Sequence, residues 1–194
     1  LLKFNIRLVL LFSGKRKSGK DFISEKLYER LGSDCSQIIR ISAPIKSAWA
    51  EKHELNLKEL LSDGAYKEKF RKEMIEWSDG IRAKDYGFFC RKAIEEANRK
   101  ILIVSDIRRK NDIKFFKETF GSRIRTIRIN CPENVRSERG WVFQAGIDDV
   151  QSECDLDDFE EWDLLVSNGE GTDINAVLEE IVNKSNQWIV QNSS

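Results

Sequence analysis

Seven consecutive positions near the start of the chain, Gly14-Lys15-Arg16-Lys17-Ser18-Gly19-Lys20, have the residue types and spacing of a phosphate loop, G-x-x-x-x-G-K. In such a loop the glycines let the backbone turn its N–H groups inward on a phosphate. The lysine reaches the outer phosphates, and the helix that follows adds the positive end of its dipole. The eighth position departs from the pattern, because Asp21 stands where Ser or Thr usually offers Mg²⁺ a hydroxyl. A carboxylate holds that ion directly or through water, so Asp21 is a candidate metal ligand. Lys15, Arg16 and Lys17 make the loop unusually cationic. Without anions they would repel one another, so the expectation is a funnel for two phosphate groups, one from ATP and one from a phosphorylated acceptor.

Other residues suit the same chemistry. Ser105-Asp106 follows the apolar run ILIVS, as at the end of a Walker B strand, where Asp106 could join the Mg²⁺ shell. The bland alternative is an aspartate that caps the next helix. Arg108 and Arg109 come next, at the carboxyl end of a strand, where ligands sit in open α/β sheets. Arg136 and Arg139 flank Gly140-Trp141, a candidate lid hinge. A guanidinium bridges two phosphate oxygens and stabilises charge on a group in transit, although any single arginine could equally be half of a surface ion pair. Lys67, Arg71, Lys72 and Arg82 share one helix whose charged face reads, by itself, as solvated. The acidic run Asp148 to Asp163 also reads as solvated, since it lacks the order of a calcium loop.

These residues need elements to hold them. Arg7 to Ser13 is a near-continuous apolar run, as in a parallel strand buried on both faces, and Asp21 to Leu31 has helical spacing ended by Gly32. Further strands are expected at Gln37–Ser42, stopped by Pro44, at Ile101–Ser105, at Ile124–Asn130 and at Asp163–Ser167. Helices are expected at Tyr66–Arg82, with Phe70, Met74, Trp77 and Ile81 forming an apolar stripe, at Phe88–Asn98 and at Ile174–Ile189. Five strands alternating with helices predict an α/β three-layer fold on a five-stranded parallel sheet, in one domain spanning 1–194.

Composition narrows the function classes. Lys plus Arg (33) equals Asp plus Glu (33), a balance that disfavours a nucleic-acid partner. Four scattered cysteines, none in a C-x-x-C pair, read as free thiols of a reducing compartment. A single histidine, His53, argues against a His-ligated metal or a Ser-His-Asp triad. No apolar run approaches the roughly 20 residues of a membrane span. The chain opens on Leu1 and closes on Asn192-Ser193-Ser194, without the S-K-L peroxisomal address, so the expected location is the cytosol.

Seven stretches then carry a resemblance, in order from Arg7 to about Asp163. RLVLLFSGKRKSGKDF, SAPIK, YKEKFRKEMIEW, GFFCRK, VSDIRR, RGWVF and GIDDVQSECDLDDF are similar to those of animal phosphomevalonate kinases. The resemblance implies ATP- and Mg²⁺-dependent conversion of phosphomevalonate to diphosphomevalonate, in the route to isoprenoids and sterols, on a P-loop fold like that of nucleoside monophosphate kinases. By the same resemblance, the Gly14–Asp21 loop and Arg139 belong to ATP, and Asn168 to its base or ribose. Lys46, Lys67, Arg71, Arg82, Arg91, Arg108 and Arg109 become candidates for the acceptor's phosphate and carboxylate, and Lys20, Arg108, Arg109 and Arg139 for the chemistry itself. The acceptor is expected on a helical region at about 44–98, under a lid at about 132–150, in a monomer. The rival readings are a nucleoside monophosphate or dephospho-coenzyme A kinase of the same fold and a non-catalytic kinase-like module.

Overall fold

A computed structural model describes residues 5–62 and 65–192. Leu1, Ser193 and Ser194, on which the readings of the chain ends rest, lie outside the described residues.

Strand β1 (Leu8–Ser13) is buried along its whole length, which is why its sequence LVLLFS offers no polar alternation. It lies at the centre of a parallel sheet in the order β2-β3-β1-β4-β5, with β2 at Ser36–Ile39, β3 at Ile101–Val104, β4 at Ile124–Asn130 and β5 at Leu164–Ser167. Alternate side chains of β1 enter two cores. Leu8, Leu10 and Phe12 pack with Ile23 and Leu27 of α1 (Lys20–Leu31) and with Leu178, Ile181 and Trp188 of α9 (Ile174–Gln191). Val9 and Leu11 pack on the other face with Phe89 of α5 (Phe88–Ala93) and with Ile113 and Phe116 of α6 (Lys110–Phe120). Helices therefore cover both faces of the sheet, as the sequence pattern predicts.

Between β2 and α5 the chain builds a helical outwork of α2 (Ser42–His53), α3 (Leu57–Leu61) and α4 (Ala65–Lys84). The apolar stripe of α4 serves two cores at once. Met74 joins Trp49, Ala50 and Leu60 in a small separate cluster, whereas Trp77 and Ile81 also reach the core of the sheet. That double attachment fixes the polar side of α4 relative to the ends of β1 and β3.

Several boundaries differ from expectation, each for a local reason. β2 stops at Ile39 because the backbone N–H groups of Ile41 and Ser42 turn to the Asp106 carboxylate. Pro44 does not merely stop a strand: it sits in the first turn of α2, where its missing N–H has no partner to lose. The helix expected to reach Asn98 ends at Ala93, where the Ile94 N–H is shared between two carbonyls, and the Asn98 N–H bonds Gln37 Oε1 instead. Helix α6 at Lys110–Phe120 is not among the expected elements, although Ile113, Phe116 and Phe120 recur on one face. All four cysteines are free, and no helix among the described residues is long and apolar enough to cross a membrane.

The sheet order reverses around β1, which opens a crevice beyond the carboxyl ends of β1 and β3. The two-sided burial makes one outcome measurable. Ile181→Ala, at a fully buried site on the inner face of α9, should lower the free energy of unfolding in urea by roughly 2–5 kcal/mol. Val190→Ala, at a site 67% exposed on the same helix, should stay within about 0.5 kcal/mol. Equal losses would mean that α9 does not present this face to the core.

Candidate active site

The loop between β1 and α1 has the backbone its residue types suggest. Gly19 has φ +89°, and a Cβ there would lie 2.2 Å from Asn168 Nδ2, so torsion and space both require glycine. At Gly14 a Cβ would meet Ser18 Oγ at 2.6 Å and the Ile129 carbonyl oxygen at 3.0 Å. The Lys20 ammonium is nearly buried: Nζ donates to the Ser105 carbonyl at 2.5 Å and lies 2.7 Å from Asp21 Oδ1. The phosphate-loop lysine is thus held against the end of β3.

A cavity of about 590 Å³ opens beside Lys20, within the size range of small-molecule sites. It gathers six of the seven acceptor candidates, all but Arg91: Lys46 from α2, Lys67, Arg71 and Arg82 from α4, and Arg108 and Arg109 from the segment after β3. Among the described lining residues, with Lys20 and Arg40, eight cations face five carboxylates (Asp21, Glu25, Asp106, Asp112 and Glu153), and two of those cations have further carboxylate partners, Asp79 for Arg109 and Glu68 for Arg71. None of its lining residues is aromatic.

Buried carboxylates hold these cations in place. Asp112, in the first turn of α6 and 1% exposed, accepts a hydrogen bond from Arg82 NH1 at 2.7 Å through Oδ1. Through Oδ2 it accepts the backbone N–H groups of Arg108 and Arg109 at 3.3 and 3.1 Å. Burial alone would lower the Arg82 pKa, but the adjoining Asp112 carboxylate reverses this and raises it above its ordinary value. Arg109 donates to Asp79 at 2.5 Å, yet burial prevails and its pKa is lowered. Burial and Asp112 together push the Cys90 thiol well above the ordinary cysteine range, which leaves it unreactive. Asp106 is 8% exposed, and its two oxygens accept the N–H groups of Ile41 and Ser42 at 2.7 and 2.9 Å. It therefore caps α2, which precedes it in the chain, and not the helix that follows it.

The acidic run corrects the sequence reading. It is not simply solvated, and the loop cations it faces are paired. Asp148 binds Arg16 at 2.8 Å, and Asp157 binds Lys15 at 2.6 Å. Glu153, on the short helix α8 (Gln151–Cys154), pairs with Arg108 and lies 3.6 Å from Arg71. Its backbone carbonyl also accepts Lys15 Nζ at 2.6 Å. Lys17 is exposed, with a left-handed φ of 61°.

Two further candidates are placed elsewhere than expected. Arg91 lies outside the cavity wall, exposed and paired with Asp85. Asn168 is buried, and its amide donates to the Ser18 carbonyl at 2.8 Å, so it braces the loop. Arg139, just after α7 (Glu133–Glu138), reaches the carbonyls of Ser18 at 3.2 Å and Asn168 at 3.3 Å, behind the loop. Arg128 on β4 escaped the sequence reading. It donates to Ser13 Oγ at 2.9 Å and lies 3.5 Å from Asp157, and burial lowers its pKa. The only signal for it was a second arginine in an otherwise alternating strand.

Among the described residues no group of three or more metal-binding side chains is assembled. Asp21 and Asp106 nevertheless line one cavity, and two carboxylates fit an ion such as Mg²⁺ that takes most of its ligands from phosphate and water.

Comparison with known proteins places these features in a family. A family model described as phosphomevalonate kinase matches residues 12–122. The chain is 55% identical over 175 residues to a Drosophila melanogaster protein named phosphomevalonate kinase, covering 87% of this chain and 92% of the relative. Among solved structures, one titled APE1195 superposes with a TM-score of 0.51 at 13% identity, covering 96% of this chain and 98% of that one, a likeness of fold alone. A shikimate kinase from Bacteroides thetaiotaomicron gives a TM-score of 0.46 at 12% identity, over 91% of this chain and 97% of that one.

The Asp112 contacts predict a large local effect. Asp112→Asn should lower the free energy of unfolding by roughly 3–5 kcal/mol, because it leaves buried arginine charge uncompensated. Glu29→Gln, in the exposed Lys26–Glu29 pair, should change it by less than about 1 kcal/mol. Equal denaturation midpoints for Asp112→Asn and the wild type would remove Asp112 as the anchor of the site.

Proposed function

The chain belongs to the phosphomevalonate kinase family, and from that premise we propose that the cavity beside Lys20 seats 5-phosphomevalonate against ATP. The enzyme transfers the terminal phosphoryl group of ATP to the acceptor's phosphate, releasing ADP and 5-diphosphomevalonate. The carrying observation is the gathering of Lys20, Lys46, Lys67, Arg71, Arg82, Arg108 and Arg109 on one cavity wall. A phosphate brings about two negative charges near neutral pH and a carboxylate brings one more, the kind of ligand such a wall suits. A nucleotide acceptor would call for stacking aromatics, and the wall offers none.

In this reading the residues divide by position. Lys20 leaves the Ser105 carbonyl for the outer phosphates of ATP, while the N–H groups of the Gly14–Asp21 loop receive the inner ones. Lys46, Lys67, Arg71 and Arg82 hold the acceptor. Arg108 and Arg109, between the two substrates, neutralise charge on the group in transit. Mg²⁺, held by Asp21 and Asp106, supplies further neutralisation of the phosphates when bound. Arg139 rides the lid at 132–150 and meets ATP when that segment closes over the acceptor-binding helices at 44–98. The attacking atom is a phosphate oxygen that is already ionised, so no general base is needed. His53 lies against Trp49, with ring centroids 3.9 Å apart and planes tilted by 37°, and is absent from the cavity wall. Positioning and charge carry the rate. The enzyme works as a cytosolic monomer on the route to isoprenoids and sterols.

The test is ADP release with a panel of acceptors. Phosphomevalonate should be used far better than AMP, CMP, UMP, GMP or dephospho-coenzyme A, and comparable kcat/KM on any nucleotide would overturn the assignment. Lys20→Met should remain folded and lose about 10²-fold or more in kcat, since a single such group supplies roughly 3 kcal/mol to the transition state.

A further inference from the structure

We propose that Glu153 is an internal stand-in for an anionic group of the acceptor, and that its displacement couples the acceptor site to the ATP loop. This rests on the reading of the cavity as the phosphomevalonate site. Glu153 is acidic yet its side chain is only 5% exposed, and it belongs to a four-residue helix whose other residues are at least partly accessible. Its carboxylate occupies the space between Arg108 and Arg71 on the cavity wall. Its backbone carbonyl simultaneously holds Lys15 of the phosphate loop, 138 residues away in sequence, at 2.6 Å. One residue thus keeps its charge in the acceptor cavity and its main chain on the nucleotide loop.

Guanidinium groups bind carboxylate and phosphate with the same donor geometry, so a phosphate of two charges competes directly for the place of a carboxylate of one. An acceptor that engages Arg71 and Arg108 must expel the Glu153 side chain. Helix α8 is a single short turn held by contacts to cations: Gln151 accepts from Arg109 at 3.3 Å, and beyond the helix Asp157 pairs with Lys15. Expulsion of Glu153 pulls its carbonyl from Lys15, so that a nucleotide phosphate competes for that ammonium with the Asp157 carboxylate and no longer with that carbonyl as well. By linkage the reverse holds equally, so ATP drawing on Lys15 loosens Glu153. Without substrates the same contacts quiet the repulsion among cations.

Calorimetric titration of the full chain tests this, with phosphomevalonate and a non-hydrolysable ATP analogue, each alone and in the presence of the other. In the wild type each ligand should strengthen the other's binding, by about fivefold or more. Glu153→Gln should bind phosphomevalonate alone several-fold more tightly and bring the coupling factor close to one. Glu153→Asp keeps the charge but shortens its reach to Arg71, and should fall between the two. Asp157→Asn removes the carboxylate partner of Lys15, leaving its bond to the Glu153 carbonyl and not touching Arg71 or Arg108, and should tighten the ATP analogue alone while leaving phosphomevalonate unchanged. Weaker phosphomevalonate binding by Glu153→Gln, coupling retained in that variant, or no coupling in the wild type would each overturn the proposal. If the wild type binds and phosphorylates phosphomevalonate, those outcomes count against Glu153 alone. A wild type that neither binds nor phosphorylates it defeats the underlying reading instead.

Discussion

Eight cations gathered around one cavity repel one another, and every other feature of the site answers that constraint. Two sets of carboxylates meet it in different ways. Asp112 and Asp106 are buried and bonded to backbone N–H groups, so they are part of the frame and cannot leave without exposing unpaired donors. Asp148, Glu153 and Asp157 come from a single acidic segment: Glu153 pairs with Arg108 in the cavity, and Asp148 and Asp157 pair with Arg16 and Lys15 of the phosphate loop. Asp148 also accepts the Gln144 N–H and Trp141 Nε1, so it belongs with the frame. Asp112 aims Arg82 and the Arg108–Arg109 backbone, and Asp106 fixes the start of α2. In the proposal above, Glu153 and Asp157 keep the places that substrates take.

The sheet explains why such a concentration of charge is tolerated. β1 is buried on both faces, so its end is fixed by two cores and the loop that follows starts from a rigid base. α4 is pinned by Met74 in one cluster and by Trp77 and Ile81 in another, which leaves Arg71 and Arg82 on the cavity wall. Because kinase chemistry on a phosphate acceptor is chiefly positioning and neutralisation, a rigid frame with adjustable counter-ions suffices, and no acid–base residue has to be tuned.

Much of this was legible in the sequence. The phosphate loop, the five strands and the α4 stripe follow from local pattern, since two-sided burial and helical spacing leave their mark on adjacent residues. Arg108 and Arg109 stood out by their place at a strand end, whereas Lys46, Lys67, Arg71 and Arg82 became candidates only through the family resemblance, since the charged face of α4 read by itself as solvated, and Arg40 of the cavity wall was missed. The counter-ions were not legible. Asp148 meets Arg16 across 132 residues and Asp157 meets Lys15 across 142, and no local pattern encodes a partner at that distance. The acidic run therefore read as solvated, and Lys15 and Arg16 read as unpaired. Arg91 and Asn168 show a related limit: the residue type suits a ligand, but helix phase and packing aim one at Asp85 and the other at the loop's own carbonyl.

In the proposal above, internal carboxylates keep the places that substrate anions take. A structure of the enzyme with phosphomevalonate and a non-hydrolysable ATP analogue bound together tests it most directly. The expected result is a phosphomevalonate anion on Arg71 and Arg108 with Glu153 withdrawn, Lys20 and Lys15 on nucleotide phosphates, and the Asp112 contacts to Arg82, Arg108 and Arg109 intact. Both substrates seated with Glu153 still paired to Arg108, and Lys15 still on its carbonyl, would contradict it.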